Sequence, residues 1–584
     1  LATSPAALTD RCLEVHSSYV WDYRHMQFVL DFAAEHEMTG IVLHRNDLVD
    51  LVVFPGRYFG ADAPTYRNNL ERYRDMYEAV FAAPTRGDRP CRARTYVKRL
   101  IDEAGSRGLD VFIQNKELFF DDTLVDLHPE VIKEGRRCAS HPFWLEFVRA
   151  KYDELVVELP GLAGVIVAPG TAESRVSIAS NRCSCGSCRA TDPGDWYAAL
   201  LGAMREPLKA AGCRLVVRDF TFSSEAQAAV VDAVAGLPDD IVVSLKNTPH
   251  DYYPTFPHNP RIGEVGGHDQ WIELDCMGQF FGWGVAPSVM LDDMRLRFAY
   301  ARSHGVTGVI LRTDWEGLDG HTAFDTYNRI NVCGAAALAR DPDVPDLEIY
   351  GHWLAETDML AADSSVADRS DAADWCRSLL GRTWEIISNS LFVRSCVFSE
   401  SSCIPVSMAD AVWVGEVKDG LRDWDSRAAD ALVATAGNVR RIVEAEDGAL
   451  ALAMELRSLA DAGHRALTPR AHETVRVSWD LLCRYVEAYR LAVVGVFLTR
   501  YLQGQARSAS EVEPDLQRRW SETVASLGAL ARDLDTFYRS TAHPYPVYML
   551  LDGERVATLC DSLQHEGTGG DAGLNRGAAR PGHP

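Results

Sequence analysis

What most constrains this chain is a series of short, nearly uninterrupted apolar segments that alternate with helix-like stretches as far as about residue 335. Eight such segments stand out: 19–21, 41–44, 110–114, 164–168, 214–219, 240–246, 271–275 and 308–312. Most are rich in Val, Ile and Leu without a polar alternation, as expected of strands covered on both faces of a parallel sheet. The stretches between them, 95–107 and 143–158 among them, carry apolar residues at helical spacing. Eight βα units in tandem predict a (β/α)₈ TIM barrel, a fold of about 250 residues before insertions. An open doubly wound sheet is the competing arrangement, but no glycine-rich phosphate loop follows the first strands.

Beyond residue 345 the spacing turns helical throughout, in 426–446, 449–462, 472–502 and 514–539. The expected organisation is a lead at 1–14, a barrel at 15–344, a mostly α-helical C-terminal domain at 345–562 and a disordered tail at 563–584. The tail is rich in Gly, Ala, Arg and Pro and has little to bury. In the segment around 482–498, Leu482, Tyr485, Val486, Tyr489, Val493, Val494 and Phe497 form too broad an apolar face to stay exposed. It must be covered inside the helical domain or by a second copy in a homodimer.

Charge excludes one class of partner. With 83 Asp and Glu against 59 Lys and Arg, the net charge of −24 gives no basic footprint for nucleic acid. No apolar run approaches the ~20 residues that span a bilayer, so no membrane partner is expected. No signal peptide is visible, and fourteen unevenly spaced cysteines suit a reduced compartment, so the expected location is cytoplasmic.

In a barrel the residues just after each strand line the active site. Those positions read Trp21, Asp22 and Arg24; His44 and Arg45; Asn115, Lys116 and Glu117; then Glu173, Arg218, Lys246, Asp251, Glu273, Gln279, Asp314, Trp315 and Glu316. Carboxylates for acid–base work, rings for stacking and cations for an acidic group together suggest a sugar site.

Two blocks carry a family resemblance. Residues 240–251 end in Lys246-Asn-Thr-Pro-His-Asp251, and the next strand carries Glu273-Leu-Asp-Cys-Met-Gly-Gln279-Phe-Phe-Gly. Upstream, residues 162–174 place Glu173 shortly after a strand, and Val217-Arg218-Asp-Phe220 ends another. The segment 324–342 is similar to the exit into a helical domain. Together these blocks resemble the α-glucuronidases of glycoside hydrolase family 67, whose leading non-barrel domain has no counterpart here.

The resemblance implies an inverting, exo-acting hydrolase that releases an α-linked uronic acid or a similar acidic sugar from an oligosaccharide or glycoside, with no organic cofactor. Inverting enzymes set two carboxyl groups about 6.5–9.5 Å apart, one protonating the leaving oxygen and one activating water. The resemblance assigns Glu173 as acid and Asp251 as base. The family's second base is replaced by Gln279, an amide that can orient water but cannot take its proton. Arg218 and Lys246 match cations that hold the uronate carboxylate, while the family's Lys before the acid falls on Ala168. Glu273 holds Lys246 or serves as a replacement acid, and His44, Asp314 and Trp315 are candidate pocket walls. A barrel glycosidase for a neutral or amino sugar, or a catalytically silent carbohydrate-binding protein, are the alternatives.

Cys183-Ser-Cys185-Gly-Ser-Cys188 has the spacing of a zinc loop. Cys138 is the expected fourth ligand, with His141 in reserve, in a closed structural site with no open coordination position. The competing reading is a set of free thiols or a disulfide.

Overall fold

The computed structural model describes residues 7–59, 88–171, 173–221, 223–411, 430–540 and 543–567. Eight parallel strands close into a barrel in sequence order: β1 (Asp10–Val15), β2 (Gly40–His44), β3 (Asp110–Glu117), β4 (Gly164–Pro169), β5 (Arg214–Arg218), β6 (Ile241–Lys246), β7 (Gln270–Asp275) and β8 (Gly308–Arg312). Helices α1 (Tyr23–Glu35), α2 (Asp88–Ser106), α3 (Phe143–Glu158), α4 (Pro193–Ala210), α5 (Ser224–Ala235), α6 (Leu291–Ser303) and α7 (Arg329–Arg340) return the chain between strands. The connection from β6 to β7 has no helix, and its irregular loop carries Asp251 and Tyr252. Local signals set the helix starts. Asp192, for example, accepts the Asp195 N–H ahead of Pro193 at the first turn of α4.

The first strand differs from the sequence expectation. Residues 18–21 form a single 3₁₀ turn, and the strand is Asp10–Val15, all but its last residue in the stretch 1–14 read as a lead. Its apolar pattern is broken by Arg11 and Glu14, and Glu14 is fully buried in the barrel. The aromatic run at 19–21 was the more conspicuous candidate, but Asp314 receives the His16 and Ser17 N–H groups (2.6 and 3.0 Å) and ends the strand before it.

One residue from each strand builds the barrel core: Cys12, Val42, Phe112, Ile166, Val216, Val242, Trp271 and Ile310. The Trp271 and Phe112 rings meet edge to face at 5.4 Å, with the Arg214 guanidinium over both. Gly308, paired in register with Trp271, leaves room for the indole: a Cβ there would lie 2.4 Å from the ring.

The chain divides into two compact units, Leu1–Gly278 with Met290–Glu356, and Gln279–Val289 with Thr357–Pro584. The second is helical and centred on α9 (Pro469–Ser508), which packs against α8 (Ala436–Ala462), α10 (Pro514–Ser540) and α11 (Gly553–Gly567). The seven apolar residues singled out on α9 are all buried, each burial stabilising by about 1.5–3 kcal/mol. The chain's own helices cover this face, which removes the argument for a homodimer there. Residues 449–462 and the end of 426–446 belong to the one helix α8. Helix α11 runs to Gly567, past the expected start of the tail, and residues 568–584 lie outside the described residues. Among the described residues no helix is long and apolar enough to cross a membrane.

Gly308→Ala should destabilise the barrel by about 1–3 kcal/mol, the usual range for overpacking. Urea denaturation followed by tryptophan fluorescence measures it, and an unchanged midpoint would show that Trp271 has room to move.

Candidate active site

Strand side chains repeat with a period of two, so the residue two beyond each core position points into the barrel one layer higher. That layer reads Glu14, His44, Gln114, Ala168, Arg218, Ser244, Glu273 and Arg312, seven of its eight side chains polar and all buried. It is a hydrogen-bonded sheet of charge lying directly on the apolar core. His44 Nδ1 faces Glu14 Oε1 at 3.1 Å, and its ring stacks on His16 with centroids 3.4 Å apart. The Gln114 amide, oriented to satisfy its neighbours, donates to Glu14 (3.2 Å) and accepts from Arg218.

Arg218 and Glu273 form the centre of this layer. Arg218 Nε donates to Glu273 Oε2 at 2.7 Å, and Nη2 reaches both Glu273 (2.7 Å) and the Tyr252 hydroxyl (2.6 Å). Ser244 Oγ and Tyr252 OH donate to Glu273 at 2.7 and 2.8 Å. Glu273 is therefore the partner of Arg218 and not of Lys246, its neighbour in register. Both members of the pair are saturated within the protein, which leaves Arg218 little capacity for a substrate carboxylate.

The next layer opens to the barrel mouth. Lys246 is buried, and its Nζ donates to the Asp219 carbonyl at 3.3 Å. It lies 4.6 Å from the centre of the Phe220 ring and 5.1 Å from that of Tyr252, and it makes no ion pair among the described residues. Lys116 lies 4.6 Å from the same Phe220 ring, equally buried, and its ammonium contacts the Glu173 carboxylate. Burial pushes the Lys116 ammonium down to about 7; Arg218 and Lys246 act in the same direction, while Glu316 and Asp251 oppose it. Lys246 is lowered as well, by burial first and by Arg218 next.

Lys116 is paired in register with Ala168, the position where family 67 carries its lysine. An ammonium thus stands on the strand beside Ala168. Lys116 was visible in the sequence as a mouth residue, but only strand register places it next to that position.

The other expected site residues are dispersed. Glu173 is half-exposed at the mouth. Asp251 is half-buried, with its backbone in the left-handed region (φ 40°) and its carbonyl accepting the Thr248 hydroxyl at 2.8 Å. Its carboxylate makes no hydrogen bond or ion pair among the described residues, yet it acts electrostatically on Lys116 and Lys246. Asp314, expected as a pocket wall, is fully buried and caps the His16–Ser17 backbone. His44 is a buried member of the polar layer. Trp315 is half-buried, its ring packed over Gly317. Gln279 belongs to the second unit, where its carbonyl accepts the Ser402 hydroxyl at 2.9 Å. Sequence reasoning missed Glu14, His16, Gln114 and Tyr252. The first two followed from the misplaced first strand, and Tyr252 lies on a loop without periodicity.

The four cysteines converge. Cys138 Sγ lies 3.8 Å from Cys185 and 3.7 Å from Cys188, Cys183 lies 3.5 Å from Cys188, and all four sulfurs fall within 4.8 Å of one another. None is in a disulfide. Four thiolates about 2.3 Å from a tetrahedral zinc would be about 3.8 Å apart, so the donor set fits the ion in kind and spacing. His141 is not part of the group; its Nδ1 accepts the Phe143 N–H.

No protein-family model and no curated protein sequence matches the chain. Solved structures do. A GH138 enzyme targeting pectin rhamnogalacturonan II superposes with a TM-score of 0.55 at 12% identity, over 91% of this chain and 63% of that one. The likeness is one of fold, a (β/α)₈ barrel followed by a helical region. Weaker likenesses are to a family GH115 4-O-methyl-α-glucuronidase with specificity for decorated arabinogalactans (TM-score 0.45, 10% identity, 94% of this chain and 61% of that one) and to an O-GlcNAc hydrolase of Thermobaculum terrenum (0.39, 9%, 97% and 98%). The chain spans less than two thirds of the first two. The GH138 likeness agrees with the expected barrel and does not single out family 67.

Arg218→Met should destabilise the protein by about 3–5 kcal/mol, because it strands a buried carboxylate. Adding Glu273→Leu should recover much of that loss in urea denaturation. Equal stability of the single variant and the wild type would refute the buried pair.

Proposed function

We propose that this protein is an inverting glycoside hydrolase acting on a sugar that bears a carboxylate, an α-linked uronic acid above all. The observation that carries this reading is the pair of buried ammonium groups, Lys116 and Lys246, beside Phe220, one of them without a contacting carboxylate among the described residues. A buried cation without a partner is costly, and an anionic ligand would offset that cost. In a protein of net charge −24, such a site selects an acidic substrate only through locally placed cations.

Glu173 takes the part of general acid and Asp251 that of general base, as the resemblance to family 67 assigns them. Two features support the base. Its carboxylate is uncommitted among the described residues, and it occupies a backbone conformation that non-glycine residues adopt only when their surroundings hold them there. The base role rests on Asp251 alone. Arg218 acts by fixing Glu273 and Tyr252, and Lys116 and Lys246 bind the substrate carboxylate.

Aryl α-glucuronides and aldouronic acids should be turned over by the wild type. Asp251→Asn and Glu173→Gln should each lower kcat by about 10²–10⁴-fold, the usual worth of a general acid or base, and Asp251→Asn should do so with little change in substrate affinity. Near-normal kcat in Asp251→Asn would remove it as base, and binding without turnover in the wild type would favour a carbohydrate-binding protein.

We also propose that Cys138, Cys183, Cys185 and Cys188 hold a structural zinc, placed away from the chemistry because four protein ligands leave no open position. Metal analysis should give about one zinc per chain, and chelation should lower Tm, since binding energy at such a site is folding energy. Metal-free protein with all four thiols freely alkylated would refute it.

A further inference from the structure

Glu173 and the substrate carboxylate both require Lys116. The Lys116 ammonium contacts the Glu173 carboxylate, and an ammonium at contact distance favours the ionised form of a carboxylate. A proton donor must instead carry its proton when the glycosidic bond breaks. The arrangement therefore holds the proposed acid in the wrong state until something else occupies Lys116.

We infer that the acidic group of the substrate displaces Glu173 from Lys116, and that the released Glu173 takes a proton from solvent and becomes the acid. This rests on the acidic-sugar reading above and adds the order of events. The substrate carboxylate settles between Lys116 and Lys246 beside Phe220. Glu173, no longer held ionised by a cation, is free to accept a proton from solvent, and in that protonated form it gives the proton to the leaving oxygen. A neutral sugar brings no competing anion and leaves Glu173 clamped, so selectivity for acidic sugars enters through kcat as well as through binding.

Every charged group facing Lys116 fits this exchange. Glu316 also acts on Lys116, but it is held by His16 at 2.8 Å and stays in place. Asp251 acts on both lysines and remains the base. Arg218 and Lys246 add positive charge to the same space, and His44 lies below, tied to Glu14. Of the three carboxylates facing Lys116, Glu173 alone contacts it and is also half-exposed, so it is the one free to leave.

The test is calorimetric titration of free glucuronate into the full chain at about pH 4.5, close to the ordinary glutamate value of about 4.3, in buffers of different ionisation enthalpy. Burial places the Lys116 ammonium at about 7, so it carries its charge there. Binding should take up roughly 0.4 proton per site, the protonated share of an ordinary glutamate at that pH. Glu173→Gln, a change at a half-exposed position, should abolish the uptake and tighten glucuronate binding roughly tenfold by removing the competitor. Lys116→Met should weaken binding at least tenfold, and Glu316→Gln should leave the uptake in place. Glucuronate binding without proton uptake, or with the same uptake in Glu173→Gln, overturns the exchange while leaving the acidic-sugar reading intact. Failure of the wild type to bind glucuronate or galacturonate overturns both.

Discussion

The Arg218–Glu273 ion pair is the interaction on which the rest of the site depends. Two opposite charges with almost no exposure are stable together only if the remaining donors and acceptors are met. Here Ser244, Tyr252 and Gln114 meet them. The consequences run outward. Tyr252 is fixed at the start of the irregular loop after β6, next to Asp251, and its ring forms one wall beside Lys246. The guanidinium, already saturated, raises the cost of charge on the two lysines above it and so, in the acidic-sugar reading, strengthens their demand for an external anion.

That demand arises from how a parallel barrel stacks its side chains. Each strand contributes one residue to the apolar layer and the residue two further on to the polar layer, so core and site are neighbours separated by one step in every strand. Trp271 and Glu273, or Phe112 and Gln114, are such steps. Register also brings side chains of neighbouring strands together, so that the Lys116 ammonium from β3 stands beside Ala168 of β4. An alignment of single positions would count that cation as lost.

The cysteine cluster bears on the same region from the other side. The Cys183 N–H bonds the Arg137 carbonyl, and the indoles of Trp144 and Trp196 donate to the carbonyls of Cys138 and Ala139, each at 2.9 Å. From this anchor the loop runs back to Ser174, whose hydroxyl bonds the Glu117 carbonyl at 2.7 Å. Glu173 is thus presented by a segment held at both ends, with a half-exposed side chain that can change partners while its backbone stays in place.

The sequence by itself determined the barrel, the helical region after it and the convergence of four cysteines. Most of the strands carry nearly continuous apolar runs because both of their faces are covered, and hydrophobic periodicity is a local property. The first strand was hidden because Glu14 interrupts its apolar pattern to serve the site. The sequence also named Lys116, Lys246, Arg218 and Glu273 as mouth residues. Only the tertiary structure decided which of them pair, since partners such as Arg218 and Glu273 lie far apart in sequence and meet only through closure and register. It likewise decided that Asp314 caps the backbone and that Gln279 belongs with the helical unit. A side chain's type fixes what chemistry it can do, but whether it is free to do it depends on neighbours that the fold alone brings within reach.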